Sequence, residues 1–148
     1  MVKNKSIVEI EDRVKPNTFV TLTLCQGITN MSGTFITGSP EAYERAVQGL
    51  YKAVARRLYS KRRWRRTRPR LANLTSLEKG RDGRWHIHAC IRRPSHVTIE
   101  QFQLIVEECW KDSRWALDRT QIEEYRGGGL SYILKEGQDS ILVNASNF

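Results

Sequence analysis

No stretch of this chain approaches the roughly 18 consecutive apolar residues of a membrane-spanning helix. The opening MVKNKSIVEIEDR also lacks an apolar run of secretory-signal length. These two absences lead us to expect a soluble, unexported, cytoplasmic protein with no membrane partner. Cysteine is scarce: Cys25, Cys90 and Cys109 are odd in number, far apart and without paired metal-ligand spacing. That excludes a disulfide framework and fits reduced thiols in or near a core. Internal repeats, low-complexity tracts and Walker-type phosphate loops are missing, so nothing signals a helicase motor.

Acid is missing from one place in particular. Residues 56–70, RRLYSKRRWRRTRPR, hold nine of the 25 basic residues and no Asp or Glu, which leaves 16 basic against 16 acidic residues elsewhere. The net charge of +9 therefore belongs to one segment, carried by Arg56, Arg57, Lys61, Arg62, Arg63, Arg65, Arg66, Arg68 and Arg70, with Trp64 among them. A basic run with an interleaved aromatic suits the phosphates and unstacked bases of nucleic acid.

With 148 residues, 39% apolar composition and four tryptophans, the chain can bury a core as a single domain over 1–148. TFVTLTLC at 18–25 alternates Phe19, Thr21 and Thr23 against Val20, Leu22 and Leu24, a central-strand pattern. Gln26 to Gly38 reads as a long, substrate-contacting loop. Ser39-Pro40-Glu41 starts a helix whose stripe is Tyr43, Val47, Leu50, Val54 and Leu58, continuing through the basic segment to Arg66 before Pro69. Residues 71–79 and 84–92 flank Gly80-Arg81-Asp82-Gly83 as an antiparallel hairpin. Thr98 with Gln101 forms a capping box for a helix bearing Phe102, Ile105, Val106, Cys109 and Trp110. Trp115 to Tyr125 reads as a strand. After three glycines, Leu130, Ile133 and Leu134 edge a short helix that Gly137 ends, and the tail adds an edge strand or an ordered cap. This order favours an α+β fold, a central antiparallel sheet of about five strands with helices packed on it, over a doubly wound parallel sheet.

The chemistry concentrates on the hairpin and the last helix. Residues two apart on a strand share a face, so His86 and His88 can grip one ion. A loop over 80–84 sets Glu78 opposite His86 and Ser76 opposite His88, with β-carbons about 5 Å apart. Two imidazoles and a carboxylate suit a divalent metal, Mn²⁺ or Mg²⁺, although Zn²⁺, Co²⁺ or Ni²⁺ would also be accepted. Such an ion could orient a phosphodiester and neutralise transition-state charge. Tyr132 is the candidate nucleophile. A free phenol ionises only near pH ~10, so it needs help from a cation, a base or the metal-bound phosphate. Lys135, three residues on, shares its helical face and can stabilise the phenolate or the scissile phosphate. Asp139 is a candidate for tuning that lysine if the helix persists past Gly137.

At these residues the chain resembles the HUH endonucleases, and among them the single-tyrosine rolling-circle replication initiators of plasmids and single-stranded DNA phages or viruses. FVTLTL at 19–24 is similar to the first family motif, HIH at 86–88 to the second and YILK at 132–135 to the third. The resemblance covers about residues 18–139. It implies an HUH palm whose sheet bears the metal site, and a tyrosine that cuts one strand of single-stranded or hairpin origin DNA to leave a 5′-phosphotyrosine and a free 3′-hydroxyl. It also implies a plasmid- or phage-encoded protein in a bacterial cell that relies on a host helicase and polymerase. Relaxases carry their tyrosine before the histidines, which argues against that branch. Transposases of the single-strand type share this motif order and remain an alternative. Two others are a nucleic-acid-binding module without catalysis and a metal hydrolase acting through water.

Overall fold

A computed structural model describes residues 6–135 and 138–148. Four strands form the main sheet: β1 (Thr18–Leu24), β4 (Asn73–Lys79), β5 (Trp85–Ile91) and β6 (Ala116–Glu124). They lie in the order β4-β5-β1-β6, every pair antiparallel. The alternating segment is thus central, as its pattern predicts. The architecture is the expected α+β one, with four strands among the described residues of this sheet rather than about five. Residues 26–38 are not an irregular loop but a separate hairpin, β2 (Gly27–Thr29) with β3 (Phe35–Thr37). Its turn closes because the Asn30 side-chain oxygen accepts the backbone N–H of Ser32 and of Thr34, with Gly33 at φ 82°.

Strand alternation divides the interior in two. Val20, Leu22 and Leu24 of β1, with Ile87, Ala89 and Ile91 of β5, face α2 (Pro40–Leu58) and α4 (Ile99–Trp110) in the larger core. Both helices begin as their sequences dictate: Ser39 caps α2 with Pro40 next, and Thr98 and Gln101 make a reciprocal capping box on α4. All five stripe residues of α2 are buried. At about 1.5–3 kcal/mol for each fully buried large apolar side chain, that stripe is ample to hold the helix. Residues on the opposite sheet face, Leu74 and Cys90, pack with Leu130 and Ile133 of α5 (Gly129–Leu134) and with Ile10 and Val14.

Those last two belong to α1 (Ile7–Val14), a helix in what the sequence presents as a polar lead-in. A Ser6–Glu9 capping box starts it, and only Ile10 and Val14 are buried, one helical step apart. The basic segment is also corrected. It does not continue α2 to Arg66: Tyr59 is extended, and Ser60 caps a new helix, α3 (Lys61–Thr67). The tail is an ordered cap, not a strand. It touches the edge of β4 at two isolated bridges, Ser76↔Ile141 and Asn73↔Asn147, and buries Ile141, Leu142, Ala145 and Ser146. Among the described residues no helix is long and apolar enough to cross a membrane.

Candidate functional site

The hairpin turn sets everything that follows. The Gly80 N–H donates to the Arg84 carbonyl at 2.8 Å, the Gly83 N–H donates to Gly80, and Gly83 sits at φ 79° where a side chain would be strained. With that turn, Glu78 pairs with His86 and Ser76 with His88, as the 80–84 loop predicts. On β1, Thr21 pairs with His88 and Thr23 with His86. Three rows therefore cross one sheet face: Phe19–Cys90–Leu74, then Thr21–His88–Ser76, then Thr23–His86–Glu78. Helix α5 packs on the first row, and the histidines come next.

Tyr132 projects from the exposed side of α5, 43% accessible, while Leu130 and Ile133 hold the helix down. Its ring stands edge-on to that of His88 at 5.3 Å between centroids, and Phe19 lies against both, at 5.9 Å from His88 and 6.3 Å from Tyr132. Lys135, the C-cap of α5, carries its Nζ 3.8 Å from the centre of the Tyr132 ring and 3.7 Å from Glu78 Oε1. Glu78 Oε2 is 3.0 Å from His88 Nε2, and Thr21 Oγ1 is 3.2 Å from His88 Nδ1. Four of the five site residues expected from sequence, His88, Glu78, Tyr132 and Lys135, are thus in mutual contact. The fifth, His86, has its ring 6.5 Å from that of His88, the two planes 18° apart.

Burial lowers the His88 pKa below its ordinary value. Glu78 opposes this, and positive charge on His86 and Lys135 adds to the lowering. A neutral ring keeps a lone pair, the form in which imidazole binds metals. Two imidazoles and a carboxylate on one face are a donor set that accepts a divalent ion, so the residues fit by their chemistry. As they stand, no three His, Cys, Asp or Glu side chains among the described residues converge on one ion-sized point, because Glu78 is engaged by His88 and Lys135.

Thr21 and Phe19 were not singled out as site residues by sequence. The signal was present: their alternation places them opposite the buried Val20 and Leu22, on the face the histidines share. Asp139 does not continue the tyrosine helix. That helix closes at Leu134, and Asp139 lies in a short 3₁₀ turn, Gln138–Ser140. The expected stop at Gly137 falls outside the described residues.

The basic segment is not brought to this cluster. Arg56 and Arg57 end α2, on the far face of the sheet; Lys61, Arg62, Arg63, Arg65 and Arg66 lie on α3, and Arg68 and Arg70 lead into β4. Trp64 is only 8% exposed, with the guanidinium groups of Arg56 and Arg68 5.8 and 5.2 Å from its ring centre. It is not an open stacking platform for bases, which corrects that expectation. Arg57 pairs with Glu108 of α4, and the Arg63 guanidinium lies 4.5 Å from the ring centre of Tyr59.

No curated protein and no solved structure matches the chain. The model of one protein family, described as replication-associated protein, ORF2 and gene-two protein, matches residues 17–140. Since that span runs from the central strand through the histidine hairpin to the tyrosine helix and covers most of the sequence, the chain belongs to this family of replication-associated proteins.

Proposed function

We propose that, within this replication-associated family, the chain is a metal-dependent single-strand DNA endonuclease and joining enzyme that initiates rolling-circle replication through a 5′-phosphotyrosine. The contact of the Tyr132 ring with His88, under a lysine that also reaches Glu78, carries the reading. His86, His88 and Glu78 would hold the ion, Mn²⁺ or Mg²⁺, which when bound supplies charge neutralisation at the phosphate. Tyr132 Oη attacks phosphorus and loses its proton. The phosphorus–O3′ bond breaks, and the departing 3′-oxygen takes a proton up. The phosphotyrosine retains the energy of the phosphodiester, so attack by a 3′-hydroxyl rejoins a strand without ATP.

The surroundings suit each role. Lys135 beside the ring favours the phenolate over the neutral phenol and can meet the scissile phosphate. Phe19 and the docked face of α5 fix the ring against rotation. Thr21 holds the His88 ring in one orientation, as outer hydrogen-bond partners of ligating imidazoles do. Strand opening would fall to a host helicase, and extension of the 3′-end to a host polymerase.

Incubation with Mn²⁺ and labelled single-stranded oligonucleotides tiling the DNA around its own gene should give a protein–DNA band that survives denaturing electrophoresis. Tyr132→Phe should abolish the band while keeping oligonucleotide binding. A band that persists in Tyr132→Phe, or cleavage without any covalent product, overturns the assignment.

A further inference from the structure

A cavity of about 840 Å³ opens between α2, α3, the start of β4 and the C-terminal cap. It is on the side of the sheet away from Tyr132, since its walls include Tyr51 and Leu71 of the larger core. Lys52, Arg56, Arg68 and Arg70 line it, and among the described residues no Asp or Glu does. Trp64 lines it too, and the indole N–H of Trp64 is buried with no hydrogen-bond partner among the described residues. A buried donor left unpaired is costly, and a donor at the wall of a roomy polar cavity is one a ligand can satisfy.

We propose that this cavity binds one nucleotide unit of single-stranded DNA, an unpaired base with its flanking phosphates. The inference rests on the reading of the chain as a DNA-processing protein and adds to it a second DNA site on the opposite sheet face. The four cations match phosphates. Pro69 and Leu71 offer the apolar wall a base requires, and the Trp64 N–H meets an acceptor on the base edge. The volume is in the range of pockets that enclose small organic ligands, well beyond what a lone phosphate fills. A concave site takes an extruded nucleotide, whereas a duplex presents a convex backbone. Strand β4 links the two sites: Asn73 at its start lines the cavity and Glu78 near its end belongs to the catalytic cluster. At about 3.3 Å per residue they are separated by roughly 20 Å, a distance a short single strand crosses around the sheet edge.

The test is fluorescence anisotropy with a labelled mixed-sequence single-stranded oligonucleotide, in Tyr132→Phe protein without metal. Failure of the nicking reading therefore leaves the outcome untouched. Arg56→Gln and Arg68→Gln should each weaken binding and flatten the salt dependence by about 0.7 of a logarithmic unit. Arg65→Gln, an equal charge change outside the cavity walls, should do so less. Trp64→Phe, which keeps an aromatic ring but removes the donor, should cost about fivefold at unchanged salt dependence. Equal losses for the three arginine substitutions, with none for Trp64→Phe in a protein of parental circular dichroism, would overturn the proposal and leave only a diffuse positive field.

Discussion

Replacing Ile133 by alanine tests whether the tyrosine is presented by its own small core. Ile133 is 2% exposed and packs with Ile10, Val14, Leu74, Cys90, Leu130 and Ile141, on the sheet face opposite α2 and α4. Helix α5 has six residues, far fewer than the ~12–15 that an isolated helix needs in water. Its docking rests on Leu130 and Ile133, worth about 1.5–3 kcal/mol each. Ordering its backbone costs about 1–2 kcal/mol per residue, only partly offset by hydrogen bonds. The margin is therefore small, and an Ile→Ala truncation of at least ~2 kcal/mol should leave α5 mostly undocked. Covalent adduct formation should then fall by roughly an order of magnitude, since 1.4 kcal/mol is a factor of ten. Leu50→Ala provides the contrast. Leu50 is 4% exposed in the larger core, and its truncation removes about 2–5 kcal/mol from the whole fold without touching α5. At a temperature where both variants are folded, Ile133→Ala should show weak adduct formation and fast amide exchange confined to α1 and α5. Leu50→Ala should show a lowered melting temperature and parental adduct yield. Equal adduct yields from the two variants, or α5 amides as protected in Ile133→Ala as in the parent, would refute the reasoning.

The metal assignment predicts that His86→Ala and His88→Ala each remove Mn²⁺ binding by titration calorimetry together with cleavage; unchanged affinity in both would exclude the histidines as ligands. Glu78→Gln should cost at least about tenfold in Mn²⁺ affinity, because a carboxylate partnering a ligating imidazole is worth roughly 10–100-fold even without binding the ion itself. Burial pushes the Cys90 thiol up to about 12, with Glu11 adding to the effect. Only the thiolate reacts, so a disulfide reagent at about pH 8 should leave Cys90 unmodified in the native protein and reach it after guanidinium unfolding. Because the folded-state pKa is the raised one, this thiol's contribution to stability is complete below about pH 8.5 and is lost as pH climbs toward 12.

The elements with strong periodicity or punctuation were legible in the chain. The β1 alternation, the Ser39-Pro40 start, the Thr98–Gln101 box and the turn at 80–84 are local signals. From the last of these the pairing of Glu78 with His86 and of Ser76 with His88 follows by counting. Helix α1 was not legible, because two apolar residues in a charged octet carry no pattern until a second surface exists to cover them. The break at Tyr59–Ser60 was hidden by arginine and lysine, good helix formers on either side. Segment 26–38 reads as loop by composition, and only the closure around Asn30 makes it a hairpin.

Sequence alone therefore determined which residues face which side of each strand and helix, and with that the shared face of His86 and His88 and the pairing of Tyr132 with Lys135. Periodicity is a property of neighbours along the chain. Tertiary structure decided what those faces meet: that α1 and α5 form a second core beside the histidine row, that Lys135 reaches Glu78, and that the arginine-rich segment sits across the sheet from the tyrosine around a cavity. Those contacts join residues tens of positions apart. They exist only because burying both faces of one sheet fixes which helix lies on which side.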